Sequence, residues 1–399
     1  MLNRHTLRIK VMQALYAFQQ ARVSDYHASI ERIDAHFEPD PLAADPPDRA
    51  VIHRKRTFSA EVFETTYQER RLAAPSPDRE GEITPDVRDA VMSAVNFYHE
   101  QVKRDRTFLR NQLLADAQHV YEGYLRVLQL LLELADLVGQ EQQAFERRRL
   151  KGTPPTPGQL RLHRNPLLET LRSNEEIRAA MIRHNISWAN DRSFVKALYR
   201  DVLATNEKYL QYQAAETVSA EEHEAMVRHI VKTVIFKSDM AQAFFEEWDI
   251  NWAENSETTR SMVLRTLKSL AAPAEEGVSA LAPLSSNWED DRSFFVALYD
   301  TTLDHREALE ALVAGRVENW DMERVAALDK IILQMALAEM IHFPSIPVKV
   351  TINEYIEISK KYSTPKSKQF VNGLLDVLAA ELTANGTIRK SGRGLLDNR

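Results

Sequence analysis

"KVTINEYIEISKKYSTPKSKQFVNGLLD", Lys349 to Asp376, carries the pattern on which the fold turns. Ile352, Tyr355 and Ile356 recur at three-and-four spacing, which lines one face of an α-helix. Thr351 followed by Glu354 reads as a capping box, in which each side chain satisfies an orphan backbone donor, so a helix is expected from Ile352. "YSTP" closes that helix, with Thr364 as the next N-cap and Pro365 at the first helical position. A second helix follows through Phe370, Leu374, Leu378 and Leu382, while Pro344 and Pro347 end the helix before. Two asparagines, Asn353 and Asn372, fall near the starts of these helices, where a side chain can bond a neighbouring segment at little helical cost. Asn353 reads as a lock between helices. For Asn372, beside Gly373 and two residues after Phe370, a lock and a binding contribution both stand, because Gly373 permits another backbone to approach closely.

The same periodicity extends outward through Val11, Leu15 and Phe18, through Leu125, Leu128, Leu132 and Leu134, and through Leu328, Ile331, Ile332, Met335 and Ile341. With only 11 glycines in 399 residues and weak strand signals, the fold class is all-α. Proline clusters at 38–48, 74–85, 152–158 and 343–347 mark the breaks. The first two bracket a basic, poorly periodic stretch containing "HRKR", 53–56, which is read as a mobile loop in preference to a nucleic-acid patch or a nuclear signal.

An apolar content of 44% is enough to build real cores, and the absence of cysteine excludes disulfides, Cys-based zinc sites and thiol catalysis. A reducing compartment fits, so the cytoplasm is expected; no apolar run approaches the roughly 18 residues that span a bilayer, and no membrane partner is expected. The net charge of −7 argues against coating nucleic acid by bulk electrostatics. Its distribution is uneven: residues 1–20 hold Arg4, His5, Arg8 and Lys10 with no acid, and Lys360, Lys361, Lys366 and Lys368 lie together between Glu357 and Asp376. A lone basic cluster is usually a solvated face, but here two of them flank one motif-rich region.

Internal repeats organise the middle of the chain. "WANDRSFVKALY" from Trp188 and "WEDDRSFFVALY" from Trp288 share eight residue types displaced by 100 positions. Trp188, Trp252 and Trp320 each follow an acid (Glu175, Asp239, Glu307) by thirteen residues and an Ile or Val by two or three. A unit of helix, short polar turn with Trp, then helix is therefore expected about three times between 165 and 342. The indoles are read as plugs between diverging helices, with ligand stacking as the other role.

With these residues in view, "NRHTLRIKVMQALYAFQ" resembles the opening helix of the NusB transcription-antitermination family. The stretch "NWDMERVAALDKIILQMALAEMIHFPSIPVKVTINEYIEISKKYSTPKSKQFVNGLLD" resembles its C-terminal half, "INE", "QFVNG" and "LDKIIL" being specific in combination. The resemblance covers about residues 1–20 and 291–383, and the length resembles the long NusB proteins of the Bacteroidetes type. It implies an all-helical RNA-binding protein that, with the ribosomal protein acting as NusE, holds boxA-type RNA of nascent ribosomal transcripts at the RNA polymerase elongation complex. The family's RNA face maps onto Arg4 and Arg8, with Gln13 and Tyr16 continuing that side of the helix. His5 and Thr6 stand where many relatives place Arg, which weakens the expected phosphate contribution at neutral pH. Lys366, Ser367 and Lys368, with Phe370 and Asn372, are expected to compensate by joining backbone donors, charge and an aromatic face. Glu323 and Asp329 match acids of the family's partner-binding face, with plain solvated acids as the other reading.

The implied organisation is a first NusB-like helix (1–22), a partly disordered Pro-rich and basic insertion (23–106), a helical extension with repeats (107–290), a NusB-like helical region (291–390) and a flexible tail (391–399). Residues 165–290 read as degenerate copies of the helix pair that continues into the recognised region. No enzyme is expected, and no cofactor or metal site. The methyltransferase chemistry fused to this fold elsewhere needs cysteines and a glycine-rich loop, and neither GxxxxGK[ST], GxGxxG nor HExxH occurs. His223 and His229, six apart, fall on different helical faces. The alternative to RNA binding is a helical protein–protein scaffold that keeps the fold.

Overall fold

The computed structural model describes residues 1–39, 48–68, 83–148, 156–273, 277–316 and 326–398, and among them there is no β-strand. The long helices α1 (Arg4–His36), α2 (Arg49–Thr66) and α3 (Pro85–Arg148) come first. Shorter ones follow: α4 (Pro166–Ser173), α5 (Glu175–Arg183), α6 (Arg192–Ala197), α7 (Glu207–Ala214), α8 (Ala220–His229) and α9 (Asp239–Trp248). The chain continues through α10 (Trp252–Ala271), α11 (Trp288–Asp304), α12 (Arg306–Ala314), α13 (Ala327–His342), α14 (Val348–Tyr362) and α15 (Ser367–Ala384). The all-α expectation holds. No helix among the described residues is long and apolar enough to cross a membrane.

These helices form two compact units, one of Met1–Asn3 with Ala115–Asp291 and one of Arg4–Leu114 with Arg292–Arg399. In the second unit, α13 is the central rod. Its sequence is apolar on nearly every side, which suits a helix enclosed all round, and Ile331, Ile332, Leu333, Met335, Leu337 and Met340 are all buried. α1, α12, α14 and α15 pack around it. A satellite core joins the far half of α1 to α2 and the start of α3 through Ile33, Phe58, Val62, Phe63, Val91 and Tyr98.

That satellite corrects the loop expected at 53–56. "HRKR" lies inside α2, whose N-terminus is capped by Asp48 accepting from the Ala50 amide at 2.9 Å. The helix is held because Phe58, Val62 and Phe63 bury against the satellite core, and Lys55 donates to Asp86 at 2.5 Å. Asp86 is held down to about 2 by its bonds from Lys55 and Thr84.

Two cap assignments also change. α14 begins at Val348 with Pro347 in the N-cap position, so Thr351 lies within the first helical turn and does not cap it. Its hydroxyl donates to Glu339 Oε1 at 2.8 Å instead, because a buried carboxylate across the interface is the more demanding partner. α15 begins at Ser367, after a turn in which the Thr364 and Ser363 hydroxyls gather on Ser367 Oγ at 2.8 and 2.9 Å. Asn353 is exposed on α14 and locks nothing.

In the first unit two tryptophans plug helix junctions, while Trp248 and Trp288 are half-buried. Trp188, between α5 and α6, and Trp252, at the start of α10, are each 1% exposed. Trp188 lies under the Arg126 guanidinium at 4.3 Å and donates to the Arg126 carbonyl; Trp252 stacks on Phe245 at 4.4 Å and donates to Gln242. Burial closes these two rings to a ligand. Trp320 lies outside the described residues. Asn165 caps α4 from within the core, accepting from the Leu167 and Leu168 amides while its own amide donates to Tyr212 and the His223 carbonyl.

Candidate nucleic-acid interface

The expected site residues separate into a buried set and an exposed set. Arg8 projects from the side of α1 that faces α13, and it is 2% exposed. Its Nε and Nη2 donate to Glu339 Oε2 and Oε1 at 2.7 and 2.8 Å, a bidentate pair with a carboxylate that is itself 0% exposed. Thr351 and Tyr355 hydroxyls donate to the same carboxylate at 2.8 and 3.1 Å, so four donors meet two oxygens. Burial works against the Arg8 charge, but the bonds and charge of Glu339 outweigh it and hold the guanidinium above its ordinary range. Burial, with the Glu339 charge, drives the Tyr355 hydroxyl far up.

Arg8 therefore does not form part of a solvent-facing RNA surface, as the resemblance had implied; its guanidinium is committed within the helix core. A lone acid in "IILQMALAEMI" on a helix buried all round was the available signal, since such a carboxylate requires a cation partner.

The first turn of α1 continues outward from this pair. His5 Nδ1 donates to Glu354 Oε2 at 2.8 Å, and that bond, assisted by the Arg8 charge, holds the Glu354 carboxyl below the usual range. The Arg4 guanidinium lies 4.7 Å from the centre of the Phe294 ring. Further along α1, Gln13 is half-buried and Tyr16 is 40% exposed.

At the start of α15, Lys366 and Lys368 are exposed with no ionic partner among the described residues, and Phe370 is half-buried beside them. Ser367 between the lysines is buried, and its hydroxyl donates to Asp329 Oδ2 at 2.6 Å. Neither Ser367 nor Asp329 meets solvent: the expected partner-binding acid is 4% exposed and holds the entry of α15 in place. That hold fixes where the two lysines point. Glu323 lies outside the described residues. Asn372 donates to Asp376 Oδ2 at 3.2 Å along its own helix, and a Cβ built on Gly373 would meet nothing within 4 Å, so this face of α15 is open.

Comparison with known proteins follows the same segments. The NusB family model matches residues 257–380, reaching upstream of 291 into α10. Transcription antitermination protein NusB of Salinibacter ruber is 37% identical over 142 residues, 34% of this chain and 88% of that protein. The proteins of the same name from Chloroherpeton thalassium and Koribacter versatilis are 40% and 44% identical over 106 and 96 residues, or 50% and 66% of their lengths. A solved structure of T. maritima NusB aligns with 40% of this chain and 91% of its own at 23% identity, with a TM-score of 0.23. On the strength of the Salinibacter ruber match, which takes in most of that relative, the chain belongs to the NusB family of transcription antitermination proteins.

Proposed function

We propose that this chain binds boxA-type RNA of nascent ribosomal transcripts together with the ribosomal protein acting as NusE, and supports processive elongation by RNA polymerase. The observation that carries the reading is the pair of uncommitted, exposed cations Lys366 and Lys368 beside Phe370, in the part of the chain that matches the family. Unpaired lysines supply phosphate contacts by releasing counterions, and an aromatic face supplies sequence-tolerant stacking. Arg4, His5, Gln13 and Tyr16 on α1, and Asn372 with the open face over Gly373 on α15, complete the RNA-binding set in this reading. Arg8, Ser367 and Asp329 act from within as positioning residues. The NusE contact is assigned to the segment entering α13, where Glu323 lies.

Residues 1–22 and 291–390 carry this function in our reading, and most of the chain between them is an insertion relative to compact family members, the family match reaching back to residue 257. The burial of Arg8 favours a second reading, a protein-binding scaffold that has kept the fold. Binding of a labelled single-stranded RNA across a salt series separates the two. For the RNA reading, Lys366→Glu and Lys368→Glu each weaken binding several-fold and flatten the salt slope by about 1. Binding that ignores both substitutions selects the scaffold.

A further inference from the structure

A cleft of about 530 Å³ opens within the unit of Met1–Asn3 and Ala115–Asp291, bounded by α3, α5, α10 and the stretch 278–283. Val278 and Leu281 give one wall an apolar surface, and the half-buried Tyr121 of α3 lines another. Arg183 of α5 and Arg265 of α10 also line it, and both are exposed.

We infer that this cleft takes a small phosphate ester of about nucleotide size, its phosphate held by Arg183 and Arg265 and its organic body against Val278, Leu281 and Tyr121. The first observation is that no carboxylate pairs with either guanidinium among the described residues. Arg265 Nη1 lies 3.0 Å from the Met1 thioether, whereas Arg172 and Arg260, elsewhere in the unit, are held by Asp136 and Glu257 at 2.6 and 2.7 Å. The second is the charge that remains. Glu176, the carboxylate lining the cleft, accepts from Ser279 Oγ at 2.5 Å, and His184 faces Glu122 at 3.8 Å, so two open guanidinium groups stand against one engaged acid. The third is direction. Burial and the Glu176 charge push the Tyr121 hydroxyl up while the Arg183 charge opposes them, so Arg183 acts at the ring that lines the hollow. A planar guanidinium matches phosphate oxygens two at a time, and small-molecule sites of roughly 300–1,000 Å³ join apolar walls to a few such polar groups. None of these residues belongs to the RNA-binding set, so the inference stands apart from the RNA reading.

Glu275 and Glu276, just before this wall in the sequence, lie outside the described residues, so the test uses the full chain, which carries them. Calorimetric titration with AMP, inorganic phosphate and adenosine is run on the wild type, Arg183→Gln, Arg265→Gln and Arg178→Gln. Arg178 is exposed on α5 but does not line the cleft, so its variant controls for loss of surface charge. The expected result is saturable binding of AMP, tighter than either phosphate or adenosine, weakened about ten-fold by Arg183→Gln and by Arg265→Gln and unchanged by Arg178→Gln. Absence of AMP binding to the wild type overturns the inference, as does a loss that Arg178→Gln reproduces. Adenosine binding as tightly as AMP overturns the phosphate assignment, and phosphate binding as tightly as AMP overturns that of the organic body.

Discussion

At the scale of the residue, two arginine-like expectations part company on burial. Removing Arg8 as Arg8→Gln leaves the Glu339 carboxylate buried without its cation, and breaking such a pair costs about 3–5 kcal/mol. Urea unfolding is expected to show that loss, while the folded fraction keeps its RNA affinity. Lys366→Glu is expected to do the reverse, changing stability by no more than about 0.5 kcal/mol and weakening RNA. Asp25 gives a pH signature of its own. Burial and the facing Asp105 push its carboxyl up to about 6, above its unfolded value, so the folded state holds the proton more tightly. Stability from this group is present below the unfolded pKa and is lost as pH rises through about 6. Asp25→Asn should flatten that dependence in melts between pH 4 and 7; an unchanged profile would remove Asp25 as its source.

At the scale of the element, periodicity made α1, α13, α14 and α15 legible, because their apolar residues recur on faces that the fold buries. The starts of α14 and α15 were not legible as drawn. Thr351 obeys the local capping pattern, but Glu339 waits across the interface, and no local rule sees a partner twelve residues back on another helix. α2 was missed for a related reason: Phe58, Val62 and Phe63 are few among many charges, and proline clusters flank them on both sides. Phe63→Ala should therefore cost about 3–5 kcal/mol and free the amides of 53–56 to exchange hydrogen, whereas a docked loop would lose little. The exposure of Lys366 and Lys368 was legible, since lysines at a helix start hold no distant partner. Arg8 was not, because its fate depends on a residue 331 positions away. Gly373 lies on the open face of α15, so Gly373→Ala should raise stability by up to about 1 kcal/mol; weaker RNA binding alongside that gain would place a ligand against this turn.

At the scale of the whole molecule, a net charge of −7 coexists with RNA binding only if the cations that matter are local and unpaired. In the unit of Met1–Asn3 and Ala115–Asp291, Trp188 and Trp252 are buried and Arg126 lies over Trp188, so these two indoles serve packing. Crosslinks from photoreactive RNA should fall on α1 and the start of α15 and spare Trp188 and Trp252. The central claim is that this family member reads boxA with its partner. Its most direct test is anisotropy of a boxA-containing RNA against a scrambled control across a salt series, with and without the NusE protein. The account predicts tighter binding to boxA that strengthens further when NusE is present. Equal, weak binding to both RNAs, indifferent to NusE, would contradict it.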